Sequence, residues 1–427
     1  MERRFFPRLE MTLFADTLPN GLRIRVIPRP GFEKKYAFFA TNYGSVDTAF
    51  TLDGKAVNSA DGVAHYLEHK MFDTEEGNAM QAFAATGASP NAFTGYHMTA
   101  YYFSCTDRFE ENLEILLHFV SEPYYTPESV EKEQGIIAQE IKMYEDNPGS
   151  RLGENMFRAM YAHHPLRVPI AGTVESIQTI TADMLYACHR AFYDPSNMVL
   201  CVVGDVDPEL VRKKALEILP KAPGGATARD YGPQEPELPA QSVISQTMEV
   251  SMPMFAIGFK LPPLPEGELR LSRELLGDLA AEVLCGESSP LYQKLYEAGL
   301  IDSGFSVCYE SVRGMPNINV SGDSDDPQAV LDAILAEASR ICKEGVDEAL
   351  FQRLKRSSLG RRIRGLDSFD GMCYRMAVSD FDGYDYFRFP ELYDAITAEN
   401  VQEMIEQSIT AERAVLSLIL PKETNKE

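Results

Sequence analysis

Two short segments of this chain recur at a single offset. Ile180-Thr181-Ala182 returns as Ile396-Thr397-Ala398, and Val199-Leu200-Cys201-Val202-Val203 returns as Val415-Leu416-Ser417-Leu418-Ile419, both 216 positions later. In each copy the first segment opens a helix and the second is a continuous apolar strand. Two elements in register without a gap imply two copies of one architecture, which constrains the fold more than any other feature. The 427 residues are also too many for one comfortable core. Between the copies, Lys221 to Gln241 contains Pro223, Gly224, Gly225, Pro233, Pro236 and Pro239 and few apolar residues. That composition reads as an extended linker. Two homologous domains, each with strands and helices, are therefore expected at 1–220 and 242–427, joined by a linker at 221–241. Strands are expected at Leu22–Ile27 and Met198–Val203. Helical periodicity marks Glu110–Phe119, Ser129–Tyr144, Ala182–Phe192 and Ser272–Leu284.

The first copy carries chemistry that the second does not. His65-Tyr66-Leu67-Glu68-His69 reads H-x-x-E-H, a zinc-hydrolase arrangement. At about 100° per residue on a helix, His65, Glu68 and His69 fall within one third of the circumference. Both imidazoles can grip one Zn²⁺ while Glu68 reaches a water on the same ion. Projected onto the second copy, these three positions fall on Ala281, Leu284 and Cys285, none of which repeats the set.

A catalytic zinc usually takes three protein ligands. Glu131 to Ile141 reads as a helix with Thr126-Pro127-Glu128 as its start signal. Glu133 and Glu140 lie two turns apart on one face, while Ile136, Ile137 and Ile141 point elsewhere and can seat the helix in a core. One acid is the natural third ligand, and the other can orient a histidine. Acid pairs at this spacing are common on solvated faces; the nearby His pair is what turns them into candidates. In the second copy the same region is basic, Lys355-Arg356 and Arg361-Arg362.

With these residues in view, the chain resembles the M16 metallopeptidases, the pitrilysin-type inverzincins that include the mitochondrial processing peptidase. Their pattern is H-x-x-E-H, about seventy residues, then a ligand Glu with another Glu seven positions earlier. Here His69 and Glu140 are 71 apart, with Glu133 in place. Leu18-Pro19-Asn20-Gly21-Leu22 resembles the family's opening turn, and Ala171-Gly172-Thr173 to Ile177 the close of its first domain. The resemblance implies His65, His69 and Glu140 as ligands of one Zn²⁺ per chain, Glu68 as general base and Glu133 as supporting acid. It also implies that Asn91-Ala92-Phe93-Thr94, with Thr99-Ala100-Tyr101, forms a strand beside bound peptide. The implied fold class is α+β, each domain an α/β sandwich of a mostly antiparallel sheet with helices packed on it, the second free of metal. Two such proteins or halves would face each other as a clamshell.

One departure stands out. Many relatives carry an Arg and a Tyr in a segment resembling L-R-E-K-x-G-L-x-Y, where this chain has Tyr296 and Asp302. Neither a phenol nor a carboxylate can imitate an arginine fork. In two-chain members of the family one subunit holds the zinc and the other this pair. The chain therefore resembles the zinc-bearing subunit of a heterodimer with a paralogue, a homodimer being the other possibility.

A 44% hydrophobic, 24% charged composition is that of a soluble globular protein. No stretch approaches eighteen apolar residues, so no transmembrane helix is expected. Met1 to Pro7 shows no signal-peptide pattern, and seven scattered cysteines without C-x-x-C spacing suggest reduced thiols, hence a cytoplasmic location. A net charge of −24 argues against nucleic acid or anionic membrane as partner. His97, His163 and His164 read as loop, surface or packing residues, and His118 and His189 as core or boundary positions. Cys105, Cys188 and Cys201 read as buried small hydrophobes. The expected activity is metal-assisted hydrolysis of unfolded peptides, with a non-catalytic assembly subunit or a zinc hydrolase of another substrate class as rivals.

Overall fold

A computed structural model of the chain describes residues 1–220 and 227–422. Its contacts divide into two compact units, Met1–Ile141 with Pro169–Tyr231 and Ile363–Phe381, and Lys142–Val168 with Gly232–Arg362 and Asp382–Glu427. The contiguous boundaries expected from the sequence therefore need correction, because each half of the chain lends a helix to the unit built by the other.

The first unit is built on seven strands, β1 (Glu2–Phe6), β2 (Met11–Thr17), β3 (Arg23–Pro28), β4 (Lys35–Thr41), β5 (Ser89–Thr94), β6 (Thr99–Cys105) and β7 (Met198–Gly204). They lie in the order β1-β2-β3-β7-β4-β6-β5. All neighbours are antiparallel except β3 and β7. The second unit repeats the last five positions with β8 (Val243–Met248), β9 (Met254–Lys260), β10 (Ser306–Val312), β11 (Met315–Asp323) and β12 (Ala414–Pro421), ordered β8-β12-β9-β11-β10. Its single parallel pair, β8 with β12, stands where β3 and β7 stand in the first sheet. The 216-residue offset carries the helix Ala182–Phe192 onto Ala398–Ser408, and the start of β7 onto that of β12.

Alternation explains why the central strands read as continuous apolar runs. Ile24 and Val26, Ala37 and Phe39, Leu200 and Val202 turn to the helix-covered core of the first unit. The opposite face is not left to solvent. It receives the helix Phe369–Asp382 from the second half of the chain, through Arg25 to Asp380 (2.5 Å), Phe32 on Phe369 and Phe93 on Tyr374. Reciprocally, the helix Pro148–Met160 of the first half lies on the sheet of the second unit. Ser417 donates to the Leu152 carbonyl (2.9 Å) and Asn155 to Gln246 (3.0 Å). Gly258 on β9 makes that approach possible, since a Cβ there would sit 2.5 Å from Met160 Cε and 2.8 Å from Met156 Sδ.

The linker reading also changes. Lys221 to Ala226 lies outside the described residues. Beyond it, Thr227 donates to the Ala191 carbonyl and Arg229 bridges to Phe50, both within the first unit. In the second unit, the Glu235 carboxylate accepts the backbone N–H groups of Ala162, His163 and His164 (2.8 Å each) and pairs with Lys260 at 2.7 Å. Pro and Gly keep this segment extended, but its polar groups dock it.

Candidate metal centre

The H-x-x-E-H segment lies on α1 (Val63–Met71), and Glu133 and Glu140 lie on α2 (Pro127–Asp146). Close backbone approach sets where α1 begins. Gly62 has φ +87° and a Cβ there would lie 2.3 Å from the Ala171 carbonyl oxygen, so only glycine lets this turn abut the Ala171–Thr173 loop. Ser176 then donates to the Asp61 carbonyl (2.8 Å). Two further ties set the register of α1 against α2. The Tyr66 hydroxyl donates to the Val130 carbonyl, and the buried Lys70 ammonium reaches Asp73 and the Ser129 carbonyl. Ile137 and Ile141 seat α2 in the core as expected, whereas Ile136 is 51% exposed.

This framework brings His65, His69 and Glu140 together, with their ligand atoms within 4.8 Å of one another. His65 Nε2 is 3.6 Å from Glu140 Oε1, and His69 Nε2 is 3.3 Å from Glu140 Oε2. Zinc bonds of about 2.0–2.2 Å place neighbouring ligand atoms of a tetrahedron about 3.3–3.6 Å apart, so both His–Glu140 separations suit the ion. His65 supports the fit independently. It is only 8% exposed, its Nδ1 has no hydrogen-bond partner among the described residues, and its Nε2 contact is too long for a hydrogen bond. A metal at Nε2 would give that nitrogen the partner that its 3.6 Å contact to Glu140 does not supply. Among the described residues no other group of three metal-ligating side chains occurs.

Glu133 Oε1 lies 3.0 Å from His69 Nδ1. A carboxylate there holds the Nδ1–H tautomer and leaves the Nε2 lone pair toward Glu140. In the metal-free site, burial would depress the His69 imidazolium, but hydrogen bonds to Glu133 and Glu140 outweigh it and push its pKa up to about 10. Glu68 shares the face of α1 with both histidines. Burial raises its pKa, against the opposing pull of His65, His69 and the Thr94 hydroxyl.

The expected substrate strand is a hairpin, in which β6 is interior and β5 is the sheet edge. Its side chains alternate. Thr94 Oγ1 donates to Glu68 Oε2 (3.2 Å), whereas Phe93 turns to the other face, against Phe38, Tyr102 and Tyr374. Asn91 is exposed, and its Oδ1 accepts the Ala92 N–H (2.8 Å). Of Asn91, Ala92, Phe93 and Thr94, it is Thr94 whose side chain hydrogen-bonds the candidate catalytic group. The expected ligands and acids, His65, Glu68, His69, Glu133 and Glu140, all come together between α1 and α2.

Comparison with known proteins follows from this geometry. The uncharacterized zinc protease YmfH of Bacillus subtilis is 38% identical over 98% of this chain and 98% of its own length. The chain belongs to peptidase family M16. The family model described as "Insulinase (Peptidase family M16)" matches residues 55–174, and that described as "Peptidase M16 inactive domain" matches 179–358. The solved structure of an M16-like peptidase from Alicyclobacillus acidocaldarius superposes with a TM-score of 0.92 at 35% identity, covering 96% of this chain and 99% of that one. Pitrilysin shares the M16 fold at 18% identity and TM-score 0.77, with 99% of this chain matching 46% of it.

The second unit shows what replaces metal there. On α3 (Glu268–Cys285) Ala281, Leu284 and Cys285 are buried, and the acids of this helix face arginines of α4 (Glu348–Arg364). Arg362 pairs with Glu274 and Asp278, and Arg361 with Glu282. Guanidinium groups supply between these helices the positive charge that a cation would supply between α1 and α2. Elsewhere His189 is buried as expected, its pKa pushed down to about 4, while His118 is exposed beside Glu122 rather than in the core. Cys105, Cys188 and Cys201 are buried, and no described helix is long and apolar enough to cross a membrane.

Proposed function

We propose that this protein is a zinc-dependent endopeptidase acting on unfolded peptides or protein tails. The observation that carries the reading is the convergence of His65, His69 and Glu140 at zinc-ligand separations with Glu68 on the same helix face. His65, His69 and Glu140 would hold the Zn²⁺, which when bound would supply Lewis acidity toward a peptide carbonyl and a water. Glu68 accepts the proton of that water and passes it to the leaving amine, a task favoured by its raised pKa. Glu133 keeps His69 in the ligating tautomer. The free edge of β5 lies beside α1 and offers backbone groups to an extended peptide, which supports substrates recognised by strand pairing rather than by sequence. The test replaces Glu68 by Gln. Zinc content should match that of the unaltered protein, while cleavage of a quenched peptide library falls by orders of magnitude; near-normal turnover would remove Glu68 from the role.

The same reading includes a second chain. Tyr296 is 53% exposed and stacks on Tyr292, and Asp302 accepts the Gly304 N–H in its own turn. Neither residue reproduces an arginine fork. This favours a paralogous subunit, or a second copy, that completes a chamber around the substrate. Adding the paralogue should raise kcat/KM for peptides. Robust cleavage by the chain alone, with no gain from any paralogue, would leave the homodimer. The seven free cysteines support a cytoplasmic location.

A further inference from the structure

We infer that Thr94 is a positioning residue for Glu68 and couples the geometry of the edge strand to that of the base. The inference rests on the peptidase reading above. Thr94 is the last residue of β5, and its hydroxyl donates to Glu68 Oε2 at 3.2 Å. A hydroxyl has one proton to give, and here the carboxylate takes it. That contact holds one carboxylate oxygen against the strand and leaves Oε1 for the proton of the attacking water. Thr99 stands opposite Thr94 across the hairpin, with its Oγ1 3.5 Å from Thr94 Oγ1 and anchored on the Tyr43 carbonyl at 3.0 Å. The two threonines lie on the side of the sheet that faces α1, and Thr99 is fully buried.

A peptide paired along β5 therefore meets the backbone of the residue whose side chain orients the base. Distortion of β5 moves the carboxylate, and firm pairing holds it. Misplacing a catalytic group by about 1 Å can cost on the order of a hundredfold in rate, so one hydrogen bond is enough to matter.

The test compares zinc-loaded Thr94→Val and Thr94→Ser. Valine keeps the β-branched shape that suits the strand and removes the donor; serine keeps the donor. In Thr94→Val, kcat should fall about 10- to 100-fold with KM within about twofold of the starting value, and Thr94→Ser should recover most of the loss. Zinc content and melting temperature should be unchanged in both. In the Glu68→Gln background, adding Thr94→Val should cost little more, because the two changes act through one group. Crystals of the metal-free variants give a readout independent of turnover, with the Glu68 carboxylate leaving β5 in Thr94→Val and staying in Thr94→Ser. Undiminished kcat in Thr94→Val overturns the inference. So does a loss that tracks melting temperature or zinc content and is not recovered by serine. If the unaltered protein binds zinc and cleaves no peptide either alone or with its paralogue, the peptidase reading fails, and the Glu68 position in the crystals still decides whether Thr94 orients it.

Discussion

At the scale of single residues, the two acids of α2 look alike in the sequence and do different work in the structure. Glu140 presents both carboxylate oxygens to the His65 and His69 Nε2 atoms, whereas Glu133 meets only His69 Nδ1. Glu140→Gln should therefore lower zinc occupancy far more than Glu133→Gln, since loss of a group that orients a ligand typically costs about 10–100-fold in affinity. Metal analysis of the two variants after dialysis against a graded chelator checks the order, and the reverse order would exchange their roles. Lys70 adds a contribution that no motif announces. It is 1% exposed in a position adjoining His69, and it ties α1 to the start of α2. Its amphipathic side chain gives no sequence signal of burial, because lysine is ordinarily a surface residue.

Among the elements, strand β5 and the segment after residue 226 depart most from what composition suggests. Asn91 to Tyr101 reads as one strand, but Gly95 N–H bonds back to the Met98 carbonyl, closing a turn and leaving β5 alone at the sheet edge. The segment around Glu235 reads as linker and instead carries a buried anchor. Burial alone would raise the Glu235 pKa, but Lys260 and three backbone N–H groups bring it down to about 2. A carboxyl with a depressed folded pKa adds stability that is fully present above its unfolded pKa, about 4.3, and is lost as pH falls toward 2. Glu235→Gln should accordingly destabilise the protein at pH 7, and the difference from the unaltered chain should shrink as pH falls from about 5 to 2. Urea unfolding at several pH values measures this. A difference that stays constant with pH would show that the carboxylate charge is not what docks the segment.

For the whole molecule, the decisive feature is the reciprocal loan of helices. Pro148–Met160 covers the sheet of the second unit, and most of Phe369–Asp382 covers that of the first. Each loan buries apolar residues, among them Met156 and Met160 in one helix and Met372 and Cys373 in the other. A polypeptide cut after residue 220 would leave one sheet face bare and one helix without its seat. Residues 1–220 expressed alone should aggregate or melt far below the intact chain, and co-expression with 227–427 should restore a folded, zinc-binding complex. Circular dichroism and size-exclusion chromatography would read this directly. A stable monomeric fragment with full zinc affinity would show that the loaned helix adds little.

Local chemistry alone determined much of this protein. H-x-x-E-H defines a ligand pair because helical spacing is rigid, and the 216-residue repeat points to two sheets with a shared five-strand order because like apolar patterns form like elements. Glu133, Glu140 and the basic residues opposite them in the second copy were legible for the same reason. The rest depended on which distant surfaces meet. Nothing in Pro148–Met160 says that it covers the other copy's sheet, since its apolar stripe would suit either one. Side-chain alternation decides that Thr94 meets Glu68 while Phe93 turns away, and that parity follows only from the β5–β6 register. The gap between Glu140 and the two histidines is likewise set by packing, through Tyr66 and Lys70 on one helix and the carbonyls of Ser129 and Val130 on the other. Periodicity can place a side chain on a face, but only tertiary contact selects what that face meets.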